Sequence, residues 1–200
     1  MKKTRVFMFV AVLVSLGLVG VVLIARNNTR SIVESKFASY ESIDELAKDT
    51  DTLIEGTVSG PGQIYFDSGG VPGEKGDRLK LFPITVVNNY RGNLDQVPSI
   101  WVFQNNWEGN PSVPMNDGDH LVMFLRSFPP GARVDLDKQF GKNSVFSQVG
   151  ENASLFDVVG SVAVPREKSL VSLTGHGSVS TEFNIADLVA EARKVESASP

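Results

Sequence analysis

The sequence predicts a mainly β domain with helices only at its two ends, placed behind one apolar N-terminal span. Three observations predict it. Short β-branched and aromatic runs recur between glycine- and proline-rich turns through the middle of the chain. Helical periodicity appears only near residues 42–48 and 185–195. Val6–Ala25 is a run of twenty residues in which Ser15 is the single polar side chain. No alternation of strand and helix appears, which argues against a parallel doubly wound sheet.

The 200 residues, 42% hydrophobic and 21% charged, give room for one ordinary domain plus a tail and are too few for two sizeable cores. The absence of cysteine excludes a disulfide framework, a thiolate zinc site, a cysteine nucleophile and a lipid-modified cysteine. Residues 1–30 carry five basic side chains and no acid, so the net charge of −4 leaves −9 on residues 31–200. An acidic domain without a basic footprint is a poor partner for a polyphosphate, and no nucleic-acid binding is expected.

At about 1.5 Å rise per residue, a helix over Val6–Ala25 matches the roughly 30 Å hydrocarbon thickness of a bilayer. Secretory h-regions are shorter, about 7–15 residues. Cleavage after Ala25 would put Leu23 at the −3 position, where a small residue is needed. Residues 1–30 therefore read as an uncleaved signal anchor with a span over 6–25. Secretion after signal cleavage is the alternative. Lys2, Lys3, Arg5 and the α-amino group outweigh Arg26 and Arg30, which places the domain outside the cytoplasm of a single-pass membrane protein. Residues 31–40 read as a tether, 41–196 as one extracytoplasmic domain, and 197–200 as a frayed tail.

Within the domain, Ser42-Ile43-Asp44-Glu45 reads as a capping box opening a two-turn helix that ends near Lys48. Thr52–Val58 is a strand, and Gly56 inside it marks a bulge or sharp coil. Ser59–Asp77, with six glycines and two prolines, is a long loop or an irregular hairpin. Leu79–Tyr90 is a strand whose first part Pro83 makes an edge or a bend, and Arg91-Gly92-Asn93 turns the chain. Pro98–Phe103 alternates, Ile100 and Val102 to one side and Trp101 and Phe103 to the other. Asn116-Asp117-Gly118-Asp119 is a turn before the continuous apolar strand His120–Arg126. Pro129-Pro130-Gly131 breaks the chain. Weaker strands follow at Ser144–Val149, Leu155–Val159 and Val162–Val164. Asn184 caps a terminal helix with Ile185, Leu188, Val189, Ala192 and Val195 on one face, and fraying is expected from Glu196. A short helix, five or more short strands and a final helix fit a small antiparallel OB-like β-barrel, an α+β domain of mainly β content, better than a sandwich.

The stretch Tyr40–Val58, the strand ending Tyr90-Arg91-Gly92, and Gly118-Asp119-His120-Leu121-Val122-Met123-Phe124-Leu125 together resemble a loose group of uncharacterised bacterial cell-surface, lipoprotein-like proteins. The resemblance covers roughly residues 40–126. It implies fold and location, an OB-like domain at the cell surface, and carries no activity to transfer. The cysteine-free span departs from the lipoprotein members in its mode of attachment.

No organised catalytic set emerges. Asp67-Ser68-Gly69-Gly70 invites comparison with a serine nucleophile, yet both histidines, His120 and His176, follow it, and Phe66 stands where a glycine is expected. Asp117, Asp119 and His120 lack EF-hand spacing, with Phe128 at the twelfth position. His176 sits between glycines with no placed acid. Neither a metal nor a cofactor is expected. The candidate ligand-binding residues are Trp101, Phe103 and Trp107, whose rings are interleaved with amides as in sugar sites, with Tyr65 and Phe66 in the glycine-rich loop as secondary candidates. The competing reading makes Trp101 and Phe103 barrel core and Trp107 a cover for one end. The sequence thus points to a non-enzymatic binding or accessory role at the cell envelope, with an envelope protein or polysaccharide as partner and the membrane engaged through the N-terminal helix. The alternative is an envelope hydrolase using paired carboxylates about 5–10 Å apart, one with a raised pKa.

Overall fold

The computed structural model describes residues 40–94, 97–104, 114–129, 131–166, 172 and 180–198. Among these no helix is long and apolar enough to cross a membrane, and the apolar run Val6–Ala25 lies outside them.

The elements in chain order are α1 (Ile43–Lys48), β1 (Thr52–Val58), β2 (Gln63–Asp67), β3 (Asp77–Arg91), β4 (Ser99–Gln104), β5 (His120–Ser127), α2 (Val134–Phe140), β6 (Val145–Gln148), a 3-10 turn (Glu151–Ser154), β7 (Leu155–Val159), β8 (Val162–Pro165), β9 (Phe183–Asn184) and α3 (Ile185–Ala198). Five strands close a barrel in the order β1-β3-β4-β6-β5 and back to β1. The sheet then runs on from β5 through β7 and β8 to β9. One edge of β5 is divided to permit this, with Leu121–Met123 pairing with β7 and Leu125–Ser127 with β6.

The barrel is not wholly antiparallel as expected. Trp101–Phe103 of β4 run parallel to Val145–Ser147 of β6. The closing order demands it: four strands alternate in direction, and the last must sit between β4 and β5, antiparallel to β5 and therefore parallel to β4.

Side-chain alternation fills the interior. Ile54 and Val58 of β1, Phe82 and Ile84 of β3, Ile100 and Val102 of β4, and Leu121, Met123 and Leu125 of β5 form one buried cluster. On the outside of β1, β5 and β7, Leu53, Val122, Phe124 and Phe156 are buried beneath α1 and α3. The run Leu121–Leu125 is continuously apolar because β5 is covered on both faces.

Gly56 is required by close packing. A Cβ there would lie 2.6 Å from Ile84 Cγ2 and 2.9 Å from the Thr85 carbonyl, and the β1–β3 register shifts beside it as the sequence anticipates. Gly118 turns the chain into β5 with φ 87°, a backbone region open mainly to glycine.

Three local expectations are corrected, and one of two alternatives is decided. Ser42 does not cap a backbone N–H; its hydroxyl donates to Asp44, and Glu45 accepts from the Glu41 N–H, so the two halves of the box engage different partners. Pro83 does not make the first part of β3 an edge, since that part pairs with β2 on one side and β4 on the other. β2 pairs with residues 77–81 of β3 and β1 with 84–91, and Pro83, whose carbonyl accepts from Ser59 on that side, sits at the gap between them where no N–H is missed. Of the two forms expected for the glycine-rich stretch, loop or hairpin, the chain takes the hairpin, which supplies β2. The terminal helix, capped by Asn184 through the Ala186 N–H, continues to Ala198 rather than fraying from Glu196.

Candidate functional site

The outer face of β3 and β4 is where the sequence places its candidate rings. Alternation turns Trp101 and Phe103 away from the barrel interior, alongside Leu79 and Leu81 of β3. Neither ring is barrel core, and both are partly buried. The β2 hairpin and α2 fold over them as a second, smaller core in which Leu136 and Val145 are buried. Tyr65 reaches in from β2. Its ring centre lies 6.0 Å from Trp101 and 5.0 Å from Phe140 of α2, and Phe140 lies 4.8 Å from Trp101. Phe103 meets Phe128 at 6.4 Å. Three of the four candidate ligand residues are thus brought together and engaged by protein. Trp107 lies outside the described residues. Phe66 is on the opposite face of β2, 41% exposed, with the Lys75 ammonium 4.3 Å from its ring centre.

Polar contacts fasten this cover. Asp67, almost fully buried, accepts from the N–H groups of Gly69 and Leu136, tying the hairpin to the start of α2. Ser68 donates through both its N–H and its hydroxyl to Asp135, and these bonds hold the Asp135 carboxyl below its usual range. Ser68 is therefore committed to a carboxylate. Arg133 pairs with Asp77 at 2.9 Å. Helix α2 went unread in the sequence. Seven residues with only Val134, Leu136 and Phe140 apolar give too little periodicity to register beside the Pro-Pro-Gly break.

Two clefts border α2. One, of about 300 Å³, lies between α2 and the ends of β5 and β6. The other, of about 350 Å³, lies between the glycine-rich hairpin and the segment leading into α2.

A second polar cluster was also missed. Glu55, 8% exposed on the outer face of β1, accepts from Asn88 at 2.8 Å and from the Tyr90 hydroxyl, both on β3. His120 Nε2 at the head of β5 lies 2.8 Å from the other carboxylate oxygen, close enough for an ion pair but without hydrogen-bond alignment. Burial raises the Glu55 pKa, but the Tyr90 and Asn88 hydrogen bonds and His120 outweigh it, so the group is held below its usual range. Burial and the same bond push Tyr90 up to about 12. The signal was one acid within the apolar run of β1.

Asp119, considered as a metal ligand, instead accepts from Arg166 at 2.6 Å and from the Asn116 N–H. Arg166, whose side chain is 7% exposed, also holds Asp157 at 2.6 Å. Among the described residues no group of three or more metal-ligating side chains converges. His176 lies outside them.

Comparison with protein-family models and with curated proteins finds no match to this chain.

Proposed function

We propose that the chain is a non-enzymatic, membrane-tethered binding domain on the outside of the cell envelope, built on an OB-type barrel of the kind carried by the cell-surface group it resembles. In barrel order the strands β1, β3, β4, β5 and β6 connect as 1-2-3-5-4-1, and an OB barrel takes its ligands at the face of strands 2–3 and at the 1–2 and 4–5 connections. One observation carries the reading. Both of those connections meet over the β3–β4 face, where they leave two clefts beside α2. The carboxylates support binding over hydrolysis. Among the described residues, those with displaced pKa values, Asp44, Glu55 and Asp135, all move down, whereas a general-acid carboxyl needs to move up.

The test is cross-linking of the full-length protein in its native membrane, with protease added outside intact cells as a check of sidedness. Digestion of the domain and capture of one dominant envelope component are expected. Protection of the domain from external protease overturns the placement. Capture of nothing by an externally accessible domain overturns the binding role.

A further inference from the structure

We propose that the cleft between α2 and the ends of β5 and β6 is a carbohydrate site, holding one pyranose ring of an envelope glycan. The proposal rests on the binding-domain reading and names its ligand. The cleft is walled by Phe128 and Val145 and rimmed by Ser127, Asp137, Lys142 and Asn143.

Unspent hydrogen-bonding capacity distinguishes it from the neighbouring cleft. Around the latter, the side chains of Asp67, Ser68, Asp77 and Arg133 are committed to one another, to Asp135 or to backbone groups, and Glu74 alone among its lining charges has no partner among the described residues. Here the side chains of Asp137, Lys142 and Asn143 make no hydrogen bond or ion pair among the described residues, although two of them carry opposite charges and line the same cleft. A carboxylate, an ammonium and a carboxamide left open around an aromatic wall match a pyranose in kind. The apolar C–H face of the sugar packs on the ring, and its vicinal hydroxyls donate to the carboxylate and accept from the ammonium and amide.

Preorganisation comes from the second core. Phe128 packs against Phe103, their ring centres 6.4 Å apart, and carries the Arg133 guanidinium over one face at 5.2 Å, so the ring is fixed before a ligand arrives and offers the sugar its other face. The volume of about 300 Å³ is at the lower end of small-molecule sites, which suits a single ring. The covered rings Trp101 and Tyr65 then act as support for the cover rather than as the stacking platform.

The test is saturation-transfer NMR on the full-length protein in a sugar-free detergent, with glucose, galactose and N-acetylglucosamine as probes. At least one sugar is expected to receive saturation. Its affinity is expected to fall roughly tenfold in Asp137→Ala and again in Asn143→Gly, the scale of one lost hydrogen bond to a charged or well-placed polar partner. Asn143 holds φ 61°, so the glycine variant removes the side chain without straining the backbone. Val159→Thr, at an exposed position on β7, is expected to change nothing. Absence of transfer to all three sugars overturns the proposal. So does transfer that both cleft variants leave unchanged. In either case, capture of an envelope component by cross-linking leaves the broader binding role standing.

Discussion

Phe124 is the side chain on which the two halves of the domain most depend, and Phe124→Ala tests the layer order directly. The ring is fully buried on the outer face of β5. It sits opposite Leu53 of β1, with its centre 5.6 Å from the Phe156 ring of β7. Ile43 and Leu46 of α1 and Leu188 and Ala192 of α3 belong to the same cluster. Truncation removes the transfer free energy of the ring and leaves a cavity between a sheet and two helices. β5 cannot move to fill it, because β1, β6 and β7 all hold its edges. The expected loss is about 3–5 kcal/mol. For a domain of this size that corresponds to a fall in Tm of about 6–20 °C. Urea titration of the full-length protein followed by circular dichroism reads the first quantity, and a thermal scan the second. Phe124→Leu should recover much of the loss, because it restores most of the buried volume. A loss below about 0.5 kcal/mol, the range of ordinary surface changes, would mean that α1 and α3 do not pack on β5.

Gly56→Ala is expected to cost about 1–3 kcal/mol in the same urea titration, because the added methyl meets Ile84 and the Thr85 carbonyl inside 3 Å. Arg166→Met should cost about 1–3 kcal/mol by leaving Asp119 and Asp157 without their shared donor; the partly exposed Asp157 recovers water, which keeps the loss below that of a fully buried pair. Glu55 makes the domain acid-sensitive. Its folded pKa lies below its unfolded value, so its contribution is complete above the unfolded pKa and is lost as pH falls through the folded one. The slope of stability against pH in that acid window should therefore be shallower in Glu55→Gln, and an unchanged slope would remove Glu55 as its source. Phe140→Ala should open the second core and shift Trp101 emission to longer wavelength, read in a Trp107→Phe background; an unshifted spectrum would mean that α2 does not cover Trp101.

Much of the β architecture was legible because its signals are local. β4 alternates, so Ile100 and Val102 declared one face and Trp101 and Phe103 the other. β5 reads as a continuous apolar run because a strand buried on both sides has no solvent face to mark. Asn184 followed by apolar residues at helical spacing located α3. The elements that escaped are those with weak local signals. β2 lies among glycines that read equally well as a loop, and α2 is too short to show a period.

The candidate site was legible by residue type and not by role. Trp101, Phe103 and Tyr65 do gather on one face, as an aromatic cluster near a glycine-rich hairpin suggests. Whether such rings meet a ligand or another part of the chain depends on what folds over them, and Phe140 lies 39 residues or more from each of its partners. The pairing of Glu55 with Tyr90 and His120 is equally remote in sequence, since each residue comes from a different strand.

By itself the sequence determined the mainly β class, the positions of most strands and both end helices, the acidic balance of residues 31–200 and the absence of thiol chemistry. These follow from composition and from periods of two and 3.6 residues, which act within a few neighbours. Only the tertiary structure decided the closing order of the barrel, the parallel contact of β4 with β6, the partial burial of the aromatic face beneath α2, and which polar side chains beside α2 are without partners among the described residues. Each of these depends on contacts between segments far apart along the chain. Residue type sets what such a contact is worth, but only the folded topology decides which residues meet.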